Sequence, residues 1–299
     1  MNKQELTNLV SEILSQMNGV QPQVKASDYK TVVYNEDRPQ NDGSVDDVST
    51  LNLRKLYLVE NPADEKAFRR LKERTPARLG CGRAGPRYKT LTMLRFRADH
   101  AAAQDAVFSE LPEDFGEKND LISVQTECNS KDEYLTRPDK GRRFNEENAS
   151  KIRAAISGAP RVQMVIGDGL SSAAIAANAM DCAKAIQDGL KVRGIELGKG
   201  IFVKYCRVGA GDAVGDITGC ELVCVLVGER PGLVTDKSMS VYITYKPHTG
   251  VSESARTVVS NIHAQGTPAV EAGAYIAELI EKILTKKVSG VGLHTGDAS

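Results

Sequence analysis

Residues 161–178, RVQMVIGDGLSSAAIAAN, run from a β-branched stretch through Gly-Asp-Gly into an alanine-rich segment of helical character. A strand that turns directly into a helix commits the chain to a β–α unit, and such units assemble into sheets covered by helices. The junction also turns backbone N–H groups and a helix N-terminus toward one spot, where an anion can be received. Gly167, Gly169 and Ser171 therefore form a candidate ligand loop. The stretch departs from the dinucleotide fingerprint in two places. Ser172 stands at the third glycine position, and the acidic residue expected about twenty residues on is replaced by Asp188 inside a helix-like run. NAD is thereby disfavoured, while a nucleotide-like ligand is not.

The flanking sequence extends the same architecture. DLISVQTEC (120–128), GIFVKYCRV (200–208), ELVCVLVGE (221–229) and MSVYITYKP (239–247) read as strands. NEENASKIRAAI reads as a helix from Asn145, and TPAVEAGAYIAELIEKIL as a last helix with Val270, Ala274 and Ala277 on one face. Only a short stretch around RPGL joins the second and third of the later strands. It is too short for a helical crossover, so at least one strand pair is antiparallel. The expectation is an α/β fold with a mixed, mainly parallel sheet, preceded by a helical N-terminal region. In that region Asn61-Pro62 predicts the start of a helix running to Glu73, and residues 91–111 predict another. Between them TPARLGCGRAGPRYKT is rich in glycine and arginine, either an anion-approaching loop or a solvated connection.

Charge and composition narrow the function. Lys plus Arg and Asp plus Glu are equal at 39 each, so no global field favours nucleic acid. No apolar run reaches the roughly 18 residues needed to span a bilayer, and no signal peptide opens the chain, so cytosolic residence is expected. Six cysteines are too dilute for a disulfide scaffold and read as buried thiols. His100, His248, His263 and His294 form no HExxH or Cys/His cluster, no GxxxxGK[ST] loop occurs, and no metal ligand is assigned. His100 beside Asp99 is not a catalytic pair, because neighbours in a helix point to different sides.

The N-terminus differs from the rest. Leu6, Leu9, Val10, Ile13, Leu14 and Met17 make one apolar stripe over residues 1–18, followed by a polar linker at 19–47. So short a helix is marginal alone and needs a partner surface, on its own chain or another. The remaining divisions are a helical region with the basic loop at 48–145 and the ligand-contacting α/β domain at 146–299.

Five ordered stretches, TPARLGCGRAGPRYKT, DHAAAQDAV, VIGDGLSS, GERPGL and RTVVSNIHAQGTP, together resemble the small (light) subunit of ethanolamine ammonia-lyase, over about Val48 to Gly292. The resemblance implies a Rossmann-like module that helps bind adenosylcobalamin at the interface with a catalytic large subunit. Together they convert ethanolamine to acetaldehyde and ammonia, in a dodecamer of six large and six small subunits. Matched by motif, the cobalamin contacts fall on Val208 in CRVGAG, Glu229 in GERPGL and Val258 after RT. Cysteine can occupy the last position in the family, so valine there offers only apolar or backbone contact. Gly167, Gly169 and Ser171 become a second set of candidate cofactor contacts, and no residue of this chain is catalytic. NIHAQG nearly matches a loop that supplies an axial histidine in some cobalamin proteins. The family's cofactor keeps its own axial base, so His263 is not expected to ligate. Members also occur inside bacterial microcompartments, which would make residues 1–18 a docking peptide for shell protein. The alternatives are a free-standing nucleotide-dependent oxidoreductase and a non-catalytic scaffold.

Overall fold

The computed structural model describes residues 47–52, 55–75 and 77–295. The helix expected at 1–18 and, apart from Asp47, the linker at 19–47 lie outside the described residues. In chain order the main elements are α1 (Glu65–Glu73), a short hairpin of β1 (Arg83–Ala84) and β2 (Arg87–Tyr88), α2 (Thr90–Phe108), α3 (Phe115–Lys118), β3 (Ile122–Gln125), α4 (Lys131–Thr136), α5 (Glu146–Ala155), β4 (Val162–Asp168), α6 (Ser172–Val192), β5 (Ile201–Lys204), α7 (Ala210–Thr218), β6 (Leu222–Gly228), β7 (Met239–Tyr245), β8 (Arg256–Ile262), α8 (Ala269–Lys286) and α9 (Gly292–Thr295).

Six strands form one mixed sheet in the order β3-β5-β4-β6-β7-β8. The first four are parallel. β7 is antiparallel to β6, as the short 229–238 connection requires, and β8 is antiparallel to β7. The strand at 122–125 pairs with β5, so the sheet draws its edge from the 48–145 stretch.

β4 and β6 are buried at every position, which fits their near-continuous apolar sequence and requires cover on both faces. Alternation divides their side chains between two cores. Met164, Ile166, Cys224 and Leu226 meet α6 and α8, whereas Val165, Val223, Val225 and Val227 meet α5 and α7. The α6–α8 contact is close because Gly273 has no Cβ. One added there would lie 2.6 Å from the Ala185 Cβ. All six cysteines are free and buried.

Two local expectations shift. Helix α1 starts at Glu65 because Asp64, not Asn61, accepts the Ala67 N–H at 2.9 Å, and Asn61 adopts a left-handed φ of 53°. On α8 the buried face runs through Ala272, Gly273, Ile276 and Ala277, leaving Val270 and Ala274 exposed. The alanines fit either stripe, and contact with α6 selects the one carrying Gly273.

Candidate functional site

Val208, Glu229 and Val258 come from three separate pieces of chain, following β5, following β6 and within β8. Tyr242 connects Glu229 with Val258 across the sheet. In the strand register Tyr242 lies between Val225 of β6 and Val258 of β8. Its hydroxyl donates to Glu229 Oε1 at 2.8 Å. Val208 and Tyr242 both pack on the core under α5 and α7. Val258 is 44% exposed, so this position of β8 is open to a ligand or partner. Burial, reinforced by the bond to Glu229, pushes the Tyr242 phenol well above its usual range, so it remains a neutral donor.

A buried ion pair braces the same face. Arg256 of β8 meets Asp212, in the first turn of α7, through Nη1–Oδ1 at 2.7 Å and Nη2–Oδ2 at 2.8 Å. The side chains are 3% and 7% exposed, and Nη1 also donates to Thr244 Oγ1 at 3.2 Å. A fork-shaped pair of this kind fixes direction as well as distance. It therefore ties the helix that follows Val208 to the strand that carries Val258.

The Gly-Asp-Gly turn behaves differently. A Cβ on Gly167 would sit 2.6 Å from Cys206 Sγ, and one on Gly169 would sit 2.6 Å from Val227 Cγ2. Here glycine admits neighbouring protein rather than an open loop. Ser171 is fully buried, caps α6 by accepting the Ala174 N–H at 3.0 Å and donates to the Asp236 carbonyl at 2.5 Å. Leu170 N–H donates to Gly228 O at 3.3 Å, closing the ends of β4 and β6 together. Asp168 Oδ1 accepts from Ser172 Oγ at 2.6 Å, and Lys131 Nζ donates to Gly169 O at 3.1 Å. Burial raises the Asp168 pKa and lowers that of Lys131, each partly offset by the other's charge. The Asp168 carboxyl, the Gly169 carbonyl and the Ser171 hydroxyl are thus all engaged within the chain.

His263 is likewise engaged, its Nε2 2.7 Å from Asn261 Oδ1 and its Nδ1 accepting the Gln265 N–H at 3.2 Å. Asp99 pairs with Arg78 at 2.7 Å and Arg95 at 2.9 Å, while the adjacent His100 lines a surface groove. Among the described residues no group of three His, Cys, Asp or Glu side chains is arranged to hold a metal ion, and no helix is long and apolar enough to cross a membrane.

A family model for ethanolamine ammonia-lyase light chain matches residues 65–294. The small subunits of ethanolamine ammonia-lyase from Clostridium perfringens and Clostridioides difficile are 54% and 53% identical to this chain, each over 98% of it and 100% of the relative. That of Listeria innocua is 52% identical over the same shares. The chain belongs to the ethanolamine ammonia-lyase light-chain family. The family motifs assign no role to Tyr242 or Asp212, and they contain Arg256, in RTVVSNIHAQGTP, only as a marker beside Val258. Alternation in MSVYITYKP separates Tyr242 and Thr244 from core-facing Val241 and Ile243, but their partners on β8 depend on a register set by tertiary pairing.

Proposed function

We propose that this chain is the small subunit of an adenosylcobalamin-dependent ethanolamine ammonia-lyase, and that it helps hold the cobalamin where it meets the catalytic large subunit. As a member of the light-chain family it is a subunit of an ammonia-lyase, and the small-subunit designation of its relatives implies a large partner. The observation that supports the cofactor reading is that Glu229 is bonded to Tyr242, Val258 is paired with Tyr242, and Val208 packs on the same core as Tyr242.

The chemistry of these residues fits a corrin. Val208 and Val258 offer apolar surface to the macrocycle. The Glu229 carboxylate is held by Tyr242 through one oxygen and can accept a peripheral amide N–H through the other. Gly167, Gly169 and Ser171 act beneath this surface. Their packing against Cys206, Val227 and Asp236 seats the β6 end from which Glu229 projects. The cofactor, when bound, supplies the radical chemistry; this chain supplies position and excludes water from one side.

The assembly of six large and six small subunits, and packaging in a bacterial microcompartment through residues 1–18, belong to the same proposal. Co-expression with the large subunit, followed by an adenosylcobalamin-dependent ammonia-release assay omitting each chain in turn, tests the main claim. Activity requiring both chains supports it; full activity from the large subunit alone overturns it. Deleting residues 1–19 should leave that activity intact and abolish co-localisation with shell, whereas lost activity with normal packaging would sink the docking role.

A further inference from the structure

Residues 55–108 form an arm with little core of its own. None of its described residues belongs to the three buried apolar clusters, and α2 buries only Thr92 and Ala106. Several of its large apolar side chains turn outward instead: Leu91, Met93 and Leu94 are 36%, 40% and 42% exposed. Tyr88, Met93, Phe96 and Leu233 border a shallow groove of about 330 Å³ whose wall is largely apolar. An apolar patch this concentrated marks a surface that another protein covers.

The charge of the arm says what kind of protein. In a chain with no net charge, residues 55–108 carry twelve Lys or Arg against six Asp or Glu. Arg87 and Arg97 lie exposed near the groove. Some of the arm's charge is satisfied internally, as where Arg78 and Arg95 meet Asp99. The excess favours a partner whose rim is acidic.

The connection between β6 and β7 says which partner. It begins at Glu229 and carries Leu233, whose main-chain oxygen accepts from Arg78 of the arm. One short loop thus joins the groove to the proposed cofactor contact. A chain that covers Glu229 from outside lies next to the arm.

We propose that the arm, centred on Met93, Phe96 and Leu233 and rimmed by Arg87 and Arg97, is a docking surface for an acidic-rimmed apolar patch of the large subunit. This rests on the small-subunit reading above. The test measures association of full-length chains with the cognate large subunit, alongside circular dichroism and sedimentation of each chain alone. Met93→Asp and Leu233→Asp, both at exposed positions, should weaken association about tenfold or more with an unchanged fold. Arg87→Glu combined with Arg97→Glu should slow association and reduce its salt dependence. Val192→Asp, at an exposed apolar position on the last turn of α6, should change neither.

Wild-type affinity in the arm variants, with complex formation intact, overturns this proposal and leaves the small-subunit reading standing. So does a self-association of the isolated chain that Met93→Asp abolishes, since the occupant is then a second copy. If the wild-type chain does not bind the large subunit at all, the parent reading fails as well.

Discussion

The Tyr242 hydroxyl and the Glu229 carboxylate, 2.8 Å apart, join the middle of β7 to the residue that follows β6. A hydrogen bond to a charged acceptor contributes roughly 1.5–3 kcal/mol, more than a neutral pair. Here it holds Glu229 in one orientation before any ligand arrives. Tyr242→Phe should leave the fold intact and lower cobalamin retention in the two-subunit complex about tenfold, read from cofactor absorbance after gel filtration. Glu229→Ala should lower it at least as far. Retention unchanged in both variants would remove Glu229 from the cofactor site.

The Arg256–Asp212 pair makes a different prediction, about stability. Both partners are almost fully buried, so removing one strands the other's charge at a cost of about 3–5 kcal/mol. Arg256→Met should show that loss in urea unfolding. Adding Asp212→Leu should recover most of it, because no buried charge remains. A single variant as stable as wild type would mean that water reaches the stranded carboxylate.

Gly167 tests the reading of the glycine turn. Gly167→Ala places a methyl 2.6 Å from Cys206 Sγ and 2.7 Å from Cys206 Cβ, an overpacking that should cost about 1–3 kcal/mol. Cys206→Ala removes the sulfur but keeps the Cβ, so the double variant should regain only part of the lost melting temperature. Full recovery would show that the strand ends can separate at little cost.

Acid titration probes Lys131 and Asp168. Burial holds the Asp168 pKa above the ordinary 3.8, so the folded state binds its proton more tightly than the unfolded state does. The sign follows: this carboxyl favours folding at low pH, and the contribution is lost as pH rises from 3.8 through the raised value. The Lys131 ammonium limits the rise. In Lys131→Met the deficit relative to wild type should therefore grow as pH climbs from roughly 4 to 7, followed by urea midpoints. A deficit independent of pH would mean that Lys131 stabilises only through its bond to the Gly169 carbonyl.

Much of the architecture is legible in local sequence. The strand-to-helix junction at 161–178, the antiparallel return to β7 and the paired helix over the sheet all follow from periodicity and connection length. The start of α1 does not, because Asn61 and Asp64 are both competent caps and only the backbone angle at Asn61 separates them. Motif spacing singles out Glu229 but not Tyr242, whose hydroxyl reaches it across the sheet. It includes Arg256 in a motif but not the pairing with Asp212, a residue separated from Arg256 by 43 intervening residues and brought to it by packing of α7 against the sheet. The Gly-Asp-Gly turn shows the converse: its sequence advertises an anion cradle, and the neighbours that fill the space come from Cys206, Val227 and Gly228.

The brace between Asp212 and Arg256 also sets an order of events during synthesis. Asp212 and Val208 leave the ribosome well before Arg256 and Val258, so a nascent chain stopped after β7 has neither the second half of the ion pair nor the exposed Val258. On the cofactor role proposed above, a chain that ends after β7 should retain no cobalamin in the two-subunit complex, so retention would report that β8 has been made.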